Sequence, residues 1–257
     1  MSALSNKNVL IGVTGGIAAY KISFLTRLLI KKGAHVKIIM TPDAKKFVSP
    51  LTLSTLSKNT VVSSFIDKDE NWINHVEYAK WADLMIIAPL TATTLAKLSI
   101  GLSDNLLIAA YSSSTCPVFI APAMDLDMYQ HPTTYENLEK VKNHNVMIIP
   151  AESGELASGL DGQGRMAEPE TIIQFTEEHF EQQLKLKNQK ILITAGPTQE
   201  AIDPVRFIGN HSTGKMGYAL AEKALALGAE VTLISGPTHL QLHHRNLNLI
   251  NVKSAEE

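Results

Sequence analysis

NVLIGVTGGIAAYKISFLTRLLIKKGAHVKIIMT, residues 8–41, holds the pattern from which the remainder of the chain can be read. It opens on a continuous apolar run rich in β-branched residues, the mark of a strand buried on both faces. Gly15 and Gly16 follow at once. Residues 17–33 then carry apolar side chains at helical spacing and end in Lys31, Lys32 and Gly33. Cations and a glycine suit a helix C-terminus, because they meet its free carbonyls and permit left-handed backbone. HVKIIM (35–40) reads as the next strand. Strand, glycine turn, helix and strand make a βαβ unit, which predicts a parallel sheet.

The same phrase continues outward. DLMIIAP (83–89), CPVFIAP (116–122) and NVMIIP (145–150) are further apolar strands separated by helix-length segments. The fold class expected is α/β, a doubly wound parallel sheet of flavodoxin-like or Rossmann-like form. KKGAHVKIIMTP (31–42) is echoed by ALGAEVTLISGP (226–237), so a second Rossmann-like unit is expected to begin near residue 190. EQQLKLKNQ (181–189) is polar and lacks its own periodicity, which makes it the linker between a 1–180 domain and a 190–257 domain. The last 68 residues are too few to complete such a sheet. Ser254 and Glu257 have capping-box spacing, so a helix is expected to open there, and the second domain reads as an incomplete beginning.

Composition narrows the partners. The 257 residues carry 23 Lys and Arg against 25 Asp and Glu, a formal charge of −2. That balance lacks the basic surplus of a nucleic-acid binder. The one cysteine, Cys116, allows no internal disulfide and fits a reducing compartment. The apolar runs are too short to cross a bilayer, and MSALSNKN has no signal core. A cytoplasmic protein with no nucleic-acid or membrane partner is expected.

Candidate chemistry sits at strand ends. GVTGGIAAY (12–20) puts two glycines where a strand becomes a helix, a place suited to phosphate. It is not GxGxxG, because Thr14 occupies the second glycine's place, and a tight turn without ligand is the alternative. APLTATTLAKLSIGLSDNLL (88–107) presents Thr91, Thr93 and Thr94 beside Ala92, either as ligand hydroxyls or as ordinary caps. His75, in NWINHVEYAKWAD (71–83), has apolar neighbours and no local sign of a base. APAMDLDMYQHP (121–132) offers Asp125 as a proton-handling carboxylate or as a helix cap. ESGELASGLDGQGRM (152–166) is glycine-rich and reads as lid or surface loop, with Arg165 able to reach an anion. GNHSTGKM (209–216) imitates a P-loop, yet Met216 stands where Ser or Thr should be, so an ordinary Walker site is rejected.

The order of these segments resembles the homo-oligomeric flavin-containing cysteine decarboxylases. ITAGPTQEAIDPVRFIGNHSTGKMG (193–217) resembles the start of phosphopantothenate–cysteine ligase. The pair in tandem is similar to the bifunctional decarboxylase/ligase family of coenzyme A biosynthesis. The resemblance implies FMN held by Gly15, Gly16, Ile17, Ala18, Thr41, Pro89, Thr91, Ala92 and Thr94. It implies a substrate, 4′-phosphopantothenoylcysteine, met by Met124, Asp125, Gly164, Arg165 and Met166. It implies catalytic roles for His75, Asp125 and Ser158, and for Asn210 on the acyl-cytidylate of a ligase that uses CTP and Mg2+. A trimer-based homo-oligomer is implied as well. The expected reaction is redox-neutral: the flavin oxidises the cysteine part, CO2 leaves, and reduced flavin with a proton donor completes 4′-phosphopantetheine.

Two positions depart from the family pattern. Asp125 replaces an asparagine that meets the substrate carboxylate, and two carboxylates in contact repel unless one is protonated or a cation intervenes. Ser158 replaces a cysteine proton donor, and a hydroxyl is a far weaker acid than a thiol. These two motivate the alternative, a non-catalytic or regulatory flavin-binding protein of the same fold. A flavin prenyltransferase relative is disfavoured by His75 and the ligase phrase. An NAD-dependent dehydrogenase is disfavoured by the missing GxGxxG and by Met40-Thr41 where a ribose-binding acid should be.

Overall fold

The first apolar run is β1 (Asn8–Val13), buried at every position after the first. A 3-10 turn (Ile17–Lys21) leads into α1 (Ile22–Lys31), then β2 (His35–Met40), a second 3-10 turn (Pro42–Lys46), α2 (Pro50–Ser57) and the short β3 (Val61–Val62). The chain returns through α3 (His75–Trp81) to β4 (Leu84–Leu90), α4 (Ala92–Ile100), α5 (Leu106–Ser112) and β5 (Val118–Pro122). Next come α6 (Leu126–Gln130), α7 (Pro132–Asn143) and β6 (Val146–Ile148). This computed structural model describes residues 2–67, 69–182 and 184–257, in two compact units, Ser2–Glu177 and Glu178–Glu257.

In the first unit six strands pair in parallel, in the order β3-β2-β1-β4-β5-β6. The winding runs outward from β1 to β3, then restarts on the other side at β4. The β1/β4 boundary is therefore a topological switch point, where the crossovers diverge and leave a crevice at the carboxyl ends. Both faces are covered, as the continuous apolar strands require. Leu10, Ile39, Met85, Ile87 and Ile120 pack with Leu95, Leu98, Leu107, Ile108 and Val141 of α4, α5 and α7 on one face. Strand neighbours of opposite phase, including Ile11, Ile38 and Ile86, are fully buried as well, and α1 and α2 pack on β2.

The glycine-rich stretch is ordered as a hairpin, β7 (Glu152–Glu155) with β8 (Asp161–Arg165), followed by α8 (Pro169–Gln182). Sequence periodicity missed it because the glycines carry no alternation. Gly159 at its tip has a φ of +84°, open to glycine and strained for other residues.

The second unit holds β9 (Lys190–Ala195), a hairpin of β10 (Gln199–Ala201) and β11 (Phe207–Gly209), α9 (Lys215–Ala226), β12 (Glu230–Ser235) and β13 (Leu247–Asn251). Its sheet is parallel, ordered β13-β12-β9. Part of the expected linker lies in α8, and Gln183 lies outside the described residues. Leu186 packs on the second unit's core, so this polar stretch carries an apolar anchor. No helix forms at 254–257; the Glu257 carboxylate instead accepts the Lys253 N–H at 2.5 Å. Among the described residues no helix is long and apolar enough to cross a membrane.

One buried hydroxyl ties the switch point. Thr14, 1% exposed, donates to the Pro89 carbonyl at 2.6 Å and accepts the Thr91 N–H at 3.1 Å. Thr14→Val keeps the shape and removes both bonds, leaving a buried acceptor unpaired. It is expected to cost about 1–3 kcal/mol, read as a lower denaturant midpoint with unchanged slope.

Candidate functional site

The crevice at the switch point holds a cavity of about 690 Å³, within the size range of small-molecule sites. Gly15, Gly16, Ile17 and Ala18 form one wall after β1, and Thr91, Ala92 and Thr93 form the opposite wall after β4. The backbone approach here needs glycine: a Cβ on Gly15 would stand 2.8 Å from Cβ of Asp43. No side chain caps the turn that begins after Gly16, so the space beside it is left to backbone.

The third wall combines the β5 end with the hairpin. Met124, Asp125, Ser158, Gly164, Arg165 and Met166 all line the cavity. Met124 N–H donates to the Gly164 carbonyl at 3.0 Å, which fastens the hairpin to the β5 end. Gly164 has a φ of +155°, and a Cβ there would collide with the Met124 carbonyl oxygen. Asp125 caps α6 by accepting the Leu126 N–H at 2.8 Å, and the same Oδ1 accepts the Ser158 hydroxyl at 2.9 Å. Asp125 and Ser158, 33 apart in sequence, are thus hydrogen-bonded to each other.

Five expected site residues do not line the cavity. Thr41 ends β2 one strand away, where its N–H bonds the Val13 carbonyl. Pro89 is buried, its carbonyl taken by Thr14. Thr94 is 6% exposed and receives the Thr91 hydroxyl, so the threonine pair is an ordinary cap while Thr93 faces the cavity. His75 begins α3, which runs back along the sheet, so it reaches the carboxyl edge but stays outside the crevice. Its ring meets Phe65 and Trp72 edge-on, at 5.9 and 6.2 Å between centroids, and its Nδ1 is buried with no hydrogen-bond partner. Asn210 belongs to the second unit, where its Oδ1 accepts the Thr198 N–H at 3.1 Å.

Sequence reasoning missed Lys21 in the cavity lining. Lys21 is 4% exposed and donates to the Met166 carbonyl at 2.9 Å and to Glu168 Oε1 at 2.8 Å. Arg165 Nη2 reaches the same oxygen at 3.0 Å. The Lys21 hydrogen bond is the chief cause holding the Glu168 carboxyl below its ordinary range. A signal was available: Lys21 stands one turn before Leu25 on the buried side of the α1 segment. Among the described residues no group of three or more His, Cys, Asp or Glu is placed to hold a metal.

The chain is similar to known proteins over both units. Residues 1–181 match the Flavoprotein family, and residues 186–257 match the DNA/pantothenate metabolism flavoprotein C-terminal domain. The coenzyme A biosynthesis bifunctional protein CoaBC of Bacillus subtilis (strain 168) is 47% identical over 257 residues, which is 99% of this chain. The chain spans 63% of that relative's length. Among solved structures, a PPC decarboxylase mutant complexed with pantothenoylaminoethenethiol superposes with a TM-score of 0.62 at 33% identity, covering 68% of this chain and 99% of that one. The FMN binding protein AtHal3 superposes with a TM-score of 0.60, also at 33% identity, over 69% of this chain and 98% of that one.

Gly164→Ala tests the hairpin's seat on the cavity. Strain at that φ and the collision with Met124 are expected to cost about 1–3 kcal/mol. The hairpin should become the first site of limited proteolysis, while far-ultraviolet circular dichroism stays unchanged.

Proposed function

Since the chain belongs to the Flavoprotein family, we propose that its first unit binds FMN and decarboxylates 4′-phosphopantothenoylcysteine to 4′-phosphopantetheine in coenzyme A biosynthesis. The observation that carries this reading is the cavity at the β1/β4 switch point, walled by a glycine turn, a threonine turn and a glycine-rich hairpin. The turn at Gly15 and Gly16 fits a flavin phosphate, because it offers backbone without side-chain bulk next to a helix start. Met124 and Met166 supply apolar wall beside the polar groups. Bound FMN supplies the two-electron chemistry, and the protein supplies orientation and proton placement.

The chain's own residues then divide the work. Arg165, on the hairpin, meets an anionic group of the substrate, since its planar guanidinium suits carboxylate or phosphate. Asp125 fixes the hairpin tip through Ser158, so the hydroxyl proton is directed at a carboxylate and not at the cavity. Ser158 in this setting holds the lid closed, and water or another acid completes the protonation. His75 acts on the substrate of a second copy in a trimer-based homo-oligomer. The exposed Ile17, Tyr20 and Phe24 beside the cofactor turn support that arrangement. For the second unit we infer the opening of a phosphopantothenate–cysteine ligase domain, with CTP and Mg2+ as its co-substrates and Asn210 at acyl activation. That inference rests on the match over residues 186–257.

A second reading, a regulatory flavin-binding protein, is favoured by the Asp125–Ser158 hydrogen bond, which occupies both departing side chains. Incubation of the protein with 4′-phosphopantothenoylcysteine separates the two. The enzyme releases CO2 and a product of matching mass; the regulator leaves the substrate intact.

The purified protein is expected to be yellow with oxidised-flavin absorption. His75→Asn should keep the flavin and lower decarboxylation on the order of 100-fold, the usual worth of a positioned acid or base. Loss of flavin together with activity would count against the assignment of His75 to substrate.

A further inference from the structure

Lys21 is a buried cation that the reaction just described leaves unused. The residue is 4% exposed and sits in the 3-10 turn that directly follows the proposed cofactor turn. Burying a charge is costly unless it is paired and hydrogen-bonded, and Lys21 meets both conditions, through Met166 and Glu168. The backbone bond to Met166 alone would hold the hairpin's last strand in place. The ion pair does more. Glu168 keeps 40% of its side chain in water and could have turned outward, yet one of its oxygens serves both Lys21 and Arg165.

The consequence is a charge balance. One carboxylate between two cations leaves a net charge of +1; both cations line the cavity, but Lys21 is buried and bonded to Met166 and Glu168, whereas Arg165 keeps 44% of its side chain exposed. Without Lys21, Glu168 and Arg165 would form a one-to-one pair whose charges cancel. The remaining charged groups on the cavity wall are Asp125 and Glu155, both acidic. The side-chain charge left facing an anionic ligand would then be negative.

We propose that Lys21 is a positioning residue that neutralises Glu168, so that Arg165 keeps its positive charge for an anionic group of the substrate. This rests on the decarboxylase reading for the identity of the substrate, and on geometry alone for the charge balance. A simple mechanical tie between turn and hairpin is the competing account. The two differ in sign for one double variant.

Four flavin-loaded proteins decide it: wild type, Lys21→Met, Glu168→Gln and the double variant. Two readouts are taken, the KM and kcat for 4′-phosphopantothenoylcysteine, and the Kd for inorganic phosphate from the change in flavin fluorescence. Lys21→Met is expected to raise KM and the phosphate Kd on the order of 10-fold, with kcat changed less than about 2-fold, as loss of one charge from a partly solvated site implies. The double variant should return to within about 3-fold of wild type, because Arg165 is freed again. A double variant as poor as Lys21→Met overturns the proposal in favour of a mechanical tie. If Lys21→Met fails to fold, Glu168→Gln decides alone: phosphate binding equal to or tighter than wild type supports the balance, and weaker binding overturns it. A wild type that turns nothing over refutes the decarboxylase reading, while the phosphate ranking still stands or falls by itself. A wild type that binds no phosphate overturns the charge balance.

Discussion

A single hydroxyl joins the two strand ends between which the sheet changes direction. Thr14 gives its proton to Pro89 and takes one from Thr91, so β1 and β4 end at a fixed separation and with a fixed rotation. Parallel pairing alone sets their register further back, from Val9 opposite Leu84 to Gly12 opposite Ile87. Beyond that ladder nothing in backbone pairing would hold the two turns in mutual position. The glycine turn and the threonine turn, which face each other across the cavity, therefore inherit their geometry from a side chain 1% exposed. A buried hydroxyl with both hydrogen-bonding capacities used stabilises one arrangement over others, because any displacement leaves a polar group unpaired.

The parts of the fold that follow from hydrophobic pattern were legible in the sequence. β4, β5 and β6 are continuous apolar runs, as is β1 after Asn8, while β2 is apolar apart from His35 and Lys37, and a sheet covered on both faces buries them. β3 has two residues, too short for any periodicity to register. The β7–β8 hairpin was opaque for another reason: its residues are held by backbone pairing and by the Met124–Gly164 bond, neither of which leaves an apolar signature. The carboxylate of Glu257 bonds a backbone N–H as a capping box would, but at Lys253 and without a helix.

The candidate site was legible in part, because short motifs mark strand ends and not what lies across them. Gly15, Gly16, Thr91, Ala92, Met124 and Arg165 meet at one cavity because each belongs to a carboxyl-terminal turn or to the hairpin that covers it. Thr94 and Pro89 belong to the same turns and point inward to the protein, a distinction set by helix phase and strand alternation that a motif does not carry. Lys21 was missed because a lysine in a sequence is ordinarily assigned to solvent. Its neighbours on the buried side of the helix argued otherwise.

The bond from Ser158 to Asp125 bears on how these positions can change over time. A hydrogen bond between two side chains makes them epistatic: the cost of replacing either depends on which residue the other holds. An asparagine at 125 could still accept the serine hydroxyl through its amide oxygen, so that replacement preserves the contact. A cysteine at 158 offers only a weak donor, and the Asp125 carboxylate would then face the cavity with less of its charge satisfied. Serine is compatible with either acceptor, whereas aspartate is best tolerated once serine is present. The hydrogen bond thereby couples the two positions, so that a change at either alters what the other can hold.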